Sequence, residues 1–273
     1  MRKALASTLL HVTLIGGAVV TLTPMLWMFS TSFMSLGEAS VFPPRFVPEH
    51  ATLEHYVKLF TELNIGRYVL NSAITAVLVT SISLLVNSMA GYAFAKLRFP
   101  GRDRFFRTLL AAMVVPAQVT MLPLFLMMKN LGFVNSYVGI LIPGLASVFG
   151  IFLIRQFTMS IPDSLLEAAR IDGASEVRIY RTLILPLLRP ILVTLGLFTF
   201  ISTWNDFLWP LIIMKDDSMY TLPVALANLS GEHEQDAELM MAGSVLTILP
   251  VMLIFLLFQK QYVRGIMIGG VKE

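Results

Sequence analysis

The chain has 273 residues, of which 56% are apolar and only 14% charged, with a mean hydropathy of +0.76. Soluble domains of this size carry roughly 25% charged residues, so a water-soluble globular protein is excluded as a class. Cysteine is absent, which removes disulfides and thiolate metal sites.

Arg2 and Lys3 open the chain, and no Asp, Glu, Lys or Arg follows until Glu38. The apolar stretch reaches about Phe33, longer than the core of a signal peptide, and contains Pro24 and Trp27; it is expected to remain as an uncleaved span. Residues 34–67 hold Pro43, Pro44 and Pro48 and then predict a short helix around Leu53–Leu63, too little for a separate domain. Further charge-free intervals run from Arg67 to Lys96, Arg107 to Lys129, Lys129 to Arg155 and Glu238 to Lys260. Arg189 to Lys215 is interrupted only by Asp206. Each interval holds the ~20 apolar residues that a helix needs to cross ~30 Å of hydrocarbon. The spans are expected at about 8–33, 68–95, 108–128, 136–154, 191–213 and 240–258, in one transmembrane domain covering 1–273. These runs lack the alternation of a membrane β-barrel, which leaves an all-α integral membrane protein with six transmembrane helices.

Six spans sort the polar segments onto two sides. Segments 1–7, 96–107, 155–190 and 259–273 hold 15 of the 20 Lys and Arg, against 5 in 34–67, 129–136 and 214–238. The positive-inside rule therefore places both termini and the 155–190 loop in the cytoplasm. The opposite side carries ten carboxylates, among them Glu232, Glu234, Asp236 and Glu238.

Residues 160–190 hold the most structured polar segment. Pro162 and Asp163 break the incoming chain, and Ser164 stands three residues before Glu167, the spacing of a capping box, so a helix is expected to start at Ser164. Gly173 supplies the left-handed residue that ends it after Asp172. Ser175 can cap a second helix, which Pro186 and Pro190 separate from the next span. The product is a helix–turn–helix outside the bilayer. Ala168, Ala169, Gly173 and Ala174 are small enough for a partner to approach the backbone, with Leu165, Leu166 and Ile171 as apolar surface. An amphipathic helix lying on the lipid interface fits the same residues equally well.

Glu167-Ala168-Ala169, then Gly173 after three intervening residues, and Leu185-Pro186 twelve further on resemble the signature of binding-protein-dependent ABC importer permeases. Leu183 departs from it conservatively, standing where that family usually has Ile. Pro43-Pro44-Arg45-Phe46-Val47-Pro48 with Tyr56 and Phe60, Asn71-Ser72, Gly91-Tyr92-Ala93-Phe94-Ala95, Phe99-Pro100-Gly101-Arg102, Val115-Pro116 through Pro123, Trp204-Asn205-Asp206-Phe207 and the tail Gly265–Lys272 are similar to the maltose-type sugar permeases, in the same order. The resemblance implies the type I ABC importer permease fold with a cytoplasmic coupling helix–turn–helix. It implies that Glu167, Ala168, Ala169, Asp172, Gly173, Leu185 and Pro186 belong to the element that docks on an ATPase. The partners implied are two ATPase subunits, a second permease subunit (in this family usually a different one, with a homodimer as the alternative), and a periplasmic or lipid-anchored solute-binding protein in a bacterial cytoplasmic membrane, with no nucleic acid. The solute implied is a sugar or related polyol.

The chain has no Gly-x-x-x-x-Gly-Lys-Ser/Thr loop, so no nucleotide cofactor is expected on it; ATP and Mg²⁺ are expected on the partner ATPase. It also lacks His-Glu-x-x-His and Gly-x-Ser-x-Gly, and no catalytic or metal-ligating residue is assigned. Asp206 is the one Asp, Glu, Lys or Arg inside an expected span, where a charge costs about 2.5–3.5 kcal/mol on insertion scales. Pro210 is expected to free the Asp206 carbonyl from its helical bond. With Trp204, Asn205 and Trp209, Asp206 forms a candidate sugar path; the competing reading makes it a structural residue within the bundle. The basic run Lys96–Arg107 reads as a topology anchor near anionic lipid.

Overall fold

The computed structural model describes residues 2–232 and 236–270, with side chains at 6–229 and 236–259. Glu234, the Glu232 side chain and the end of the Gly265–Lys272 tail lie outside the described residues. Within them every regular element is helical: α1 (Arg2–Thr31), α2 (Glu54–Thr61), α3 (Ile65–Lys96), α4 (Arg102–Ala112), α5 (Ala117–Asn130), α6 (Tyr137–Leu141), α7 (Val148–Met159), α8 (Asp163–Ile171), α9 (Glu176–Ile179), α10 (Leu185–Leu187), α11 (Arg189–Trp204), α12 (Leu208–Ile213), α13 (Leu222–Glu232) and α14 (Ala237–Gly270).

Three helices are long and apolar enough to cross a membrane unbroken: Ala6–Thr31, Ile65–Lys96 and Ala237–Gln259. Three more apolar stretches are bent helix pairs, by 106° between α4 and α5, by 41° between Tyr137–Gly144 and α7, and by 76° between Glu176–Leu187 and α11; with each pair counted as one span the total is six. The stretch expected as one straight span over 108–128 is therefore broken. Pro116, extended at φ −60° and ψ 136°, stands outside the first turn of α5 and has no N–H to continue α4. Pro24, Pro123 and Pro250 lie inside continuous helices.

The described residues fall into two compact units, one drawn from Met1–Arg67 with Ala225–Pro250, the other from Tyr68–Val224 with Val251–Glu273. In the first, acidic residues near the start of α14 act as internal ties. Asp236 accepts the Leu239 N–H at 2.9 Å, and its carboxylate lies 3.3 Å from Lys58 Nζ and 3.7 Å from the ring of buried His55. Glu238 is fully buried and accepts the Ala39 N–H at 2.8 Å.

In the second unit α3 is the straight member against which bent helices pack. Small residues make this possible. A Cβ on Gly91 would stand 2.6 Å from Ile154 Cγ2 and 3.1 Å from the Arg155 nitrogen, and one on Gly150 would stand 2.6 Å from Asn87 Nδ2. Such close backbone approach is how helices associate without a hydrophobic gradient between them. Buried polar side chains of α3 then serve backbone groups that the bends leave open. Asn87 Oδ1 accepts the Ser147 N–H at 3.0 Å, at the break before α7. Asn71 Nδ2 donates to the carbonyls of Ser218 and Tyr220, its Oδ1 accepts from Tyr137 Oη, and Ser72 Oγ accepts the first N–H of α13 from Leu222.

Gly91→Ala forces α3 away from a β-branched side chain and a backbone nitrogen, neither of which can swing aside. The expected cost is about 1–3 kcal/mol, the range for overpacking a tight contact. Thermal unfolding of the detergent-solubilised protein checks it, and an unchanged midpoint would show that the α3–α7 approach is not tight.

Candidate coupling site

The helix–turn–helix at 160–190 starts one residue earlier than the capping-box spacing indicated. Pro162, extended at φ −59° and ψ 134°, precedes α8, Asp163 is its first residue, and no side chain caps it. Ser164 is therefore inside the first turn: the extended backbone that proline favours already directs the chain, and Asp163 supplies the negative charge that suits a helix N-terminus. The other end forms as expected. Gly173 has φ +77°, its N–H donates to the Arg170 carbonyl at 3.0 Å, and the Ala174 N–H donates to the Ala169 carbonyl at 2.9 Å. These are the two bonds of a Schellman motif. Ser175 then caps α9 by accepting the Arg178 N–H.

Beyond α9 the chain winds through a π-helical turn, Tyr180–Ile184, before α10. Pro186 has no N–H to give the Thr182 carbonyl, and its ring would crowd that carbonyl in a regular α-helix; the wider turn relieves both problems. The chain then bends by 76° into α11.

One side of the element is bound to its own chain. Leu166, Ile179, Tyr180, Ile184 and Leu188 form a buried core with Tyr92, Ile154 and Ile161. Ala169 and Ala174 pack against this core, so two of the four small residues expected at a partner surface serve internal packing. Three polar residues spaced four apart on α3 complete the attachment. Ser88 Oγ lies 2.7 Å from Tyr180 Oη, Tyr92 Oη donates to Glu176 at 2.7 Å, and Lys96 Nζ reaches both the Ile161 carbonyl and Asp163 at 2.6 Å. Across the turn, Arg170 Nε donates to Glu176 at 2.8 Å. The Arg170 guanidinium, followed by the Tyr92 hydroxyl, holds the Glu176 carboxyl below the usual range. The Lys96 ammonium does the same to Asp163. None of these α3 residues was assigned to this element from sequence, where Lys96 was read only as part of a topology anchor, although polar residues four apart at the end of an apolar helix are the visible trace of such an attachment.

The opposite side is open. Glu167, Ala168, Asp172 and Gly173 are exposed, and Ile171 presents 86% of its surface. A Cβ on Gly173 would meet no atom of the described residues within 4 Å. Leu185 and Pro186 are not part of this face: they line an apolar groove of about 670 Å³ with Leu84, Arg189, Val193 and Phe258.

The candidate sugar-path residues occupy the break between α11 and α12. The helix ends at Trp204, two residues before Asp206, whose carbonyl Pro210 was expected to free, and Pro210 is inside α12. Trp204 is 2% exposed and stacks on Phe200; Trp209 is buried and donates from Nε1 to the Gly139 carbonyl at 3.1 Å. Asn205 is exposed, its amide donating to the Ile201 carbonyl. The Asp206 carboxylate accepts the N–H groups of Leu208 and Trp209, which opens α12 as an N-terminal cap would. No group of three or more His, Asp or Glu among the described residues is arranged to hold a metal ion.

The family described as "Binding-protein-dependent transport system inner membrane component" matches residues 87–268. The arabinooligosaccharides transport system permease protein AraQ of Halalkalibacterium halodurans is 36% identical over 244 residues, 89% of this chain and 86% of that protein. The diacetylchitobiose uptake system permease protein NgcG of Streptomyces coelicolor is 32% identical over 95% of this chain and 87% of its own length. The sn-glycerol-3-phosphate transport system permease protein UgpE of Salmonella typhi is 35% identical over 94% of both. A chain from the crystal structure of a bacterial ABC transporter that imports the acidic polysaccharide alginate superposes with a TM-score of 0.84 at 27% identity, covering 95% of this chain and 98% of that one. With its bent apolar helix pairs and its exposed helix–turn–helix, the chain belongs to the inner-membrane components of binding-protein-dependent transport systems, as a multi-pass permease subunit of an importer with the type I fold.

Proposed function

We propose that this permease carries a sugar, oligosaccharide or related polyol inward, and that the open face of α8 and its turn docks on a cytoplasmic ATPase subunit. The single observation that carries the docking is the asymmetry of the 160–190 element, anchored on one side by α3 and bare on the other around Glu167, Ala168, Ile171 and Gly173. A segment lying on lipid would turn a continuous apolar face outward, whereas this face mixes Glu167 and Asp172 with exposed Leu165 and Ile171. The sugar class is supported by the names of the relatives, which include arabinooligosaccharide and diacetylchitobiose systems alongside a glycerol-phosphate system. ATP and Mg²⁺ belong to two ATPase partners in this reading, a second and different permease completes the membrane pathway, and both termini face the cytoplasm. Closure of the ATPases on ATP moves the anchored elements, and the spans alternate between inward and outward access. A solute-binding protein delivers the sugar from the other side. Because the chain has no cysteine, a single Thr182→Cys variant labelled only from the cytoplasmic side checks the orientation.

At Gly173 the open space separates two effects. Gly173→Ala meets no neighbour among the described residues, so its intrinsic cost is the left-handed backbone alone, about 1–2 kcal/mol. A larger loss of ATPase stimulation and uptake in the assembled complex, shared by Glu167→Lys, is the expected result. Uptake at the original rate in both variants would remove the docking assignment.

Glu176→Gln is expected to lower stability by about 1–2 kcal/mol, the scale of an exposed ion pair plus one charge-assisted hydrogen bond. A carboxyl held below its usual range contributes stability above that range and loses it as pH falls through its depressed folded-state value. The melting difference between the two proteins should therefore be present at neutral pH and close on acidification. A difference constant with pH would locate the effect elsewhere.

Asp206→Asn keeps a side-chain oxygen that can cap α12. Assembly is expected to survive, and transport kinetics then decide the role of the break: changed solute affinity places Asp206 on the path, while unchanged affinity leaves it as a cap.

A further inference from the structure

We propose that the corner between α3 and α4 is a binding site for the phosphate head group of an anionic phospholipid. This goes beyond the reading above and rests on the membrane span of α3, not on the docking of α8. The cleft there, about 640 Å³, is lined by Arg98, Phe99, Arg102, Asp103, Arg104 and Arg107. Asp103 is the one acid of this lining, and it lies 3.2 Å from Arg102 Nε. Arg102 also donates to the Leu97 carbonyl, and Arg107 Nε to the Asp103 carbonyl, both at 3.2 Å. The guanidinium groups of Arg98, Arg104 and Arg107 form no ion pair among the described residues. Arg98 feels the Asp163 carboxylate only at a distance, so three cations without a direct carboxylate partner repel each other around one opening unless an anion joins them, and the planar guanidinium fork matches the oxygens of a phosphate.

The position selects a lipid. The 32 residues of α3 span about 48 Å, against roughly 40–45 Å for a bilayer with its head groups, so the Lys96 end emerges at head-group depth. Phe105 is 61% exposed and Phe99 37% exposed beside the arginines. Aromatic rings next to basic side chains at the end of an apolar span are the composition of a membrane interface.

The test compares the purified transporter complex with its R98Q/R104Q/R107Q counterpart; Arg102 is left in place because it ties the corner together. Each is exchanged into vesicles of phosphatidylcholine with or without phosphatidylglycerol, and retained lipid is counted by native mass spectrometry. The wild type is expected to retain phosphatidylglycerol, with affinity falling roughly fivefold for each arginine removed, while phosphatidylcholine retention stays the same. Equal phosphatidylglycerol retention in the variant overturns the proposal. Displacement of the lipid by inorganic phosphate overturns it in favour of a soluble anion. A variant that keeps its phosphatidylglycerol but loses its co-purifying ATPase assigns the cleft to a protein interface instead. Matching thermal unfolding of the two proteins establishes that the variant is folded.

Discussion

A backbone that changes direction inside a hydrocarbon layer leaves N–H and C=O groups with no water to satisfy them, and the second unit of this protein is organised around that constraint. Bends of 106°, 41° and 76° interrupt three of its apolar stretches. Side chains answer several of the open groups: Asn87 at the break before α7, Trp209 at the Gly139 carbonyl, Asp206 at the start of α12. Asn71 and Ser72 do the same where the chain returns at Ser218–Leu222. Each unsatisfied group in such a place would cost several kcal/mol. These polar residues are thus conditions of the bent fold, and α3, an unbroken helix, carries four of the six engaged side chains counted with Ser88.

Seen this way, the division between what the sequence discloses and what it hides has a physical basis. Charge-free intervals locate the spans, because hydropathy measures the total cost of immersion. Direction leaves no trace in that sum, so the 106° bend at Pro116 was read as one span. Proline is no substitute signal: Pro24, Pro123 and Pro250 are accommodated inside helices, whereas Pro116 sits at a helix start.

The 160–190 element divides along the same line. Gly173 was legible because a left-handed residue at a helix end is a local demand that few residues meet. Ser164 was misread because two local signals competed, and the Pro162-Asp163 pair prevailed over the capping box. The attachments through Ser88, Tyr92 and Lys96 join residues 92, 84 and 67 positions apart in the chain, a separation at which no local rule operates. Ala169 and Ala174 illustrate a third limit. Small size marks a close approach without saying from which side it comes, and here it is the protein's own core.

The straightness of α3 has a mechanical meaning. Asn71 near one end holds the Ser218–Tyr220 return, and Lys96 at the other holds the start of α8, some 38 Å away along one uninterrupted helix. Between them Ser88 and Tyr92 clamp the second arm of the helix–turn–helix. A continuous helix has no break at which to absorb a displacement at one end, so part of a push on the helix–turn–helix arrives at the far loop as a tilt or a shift. The same helix works in reverse: whatever moves the far loop is felt at the Asp163 and Glu176 attachments, because one piece of secondary structure carries both.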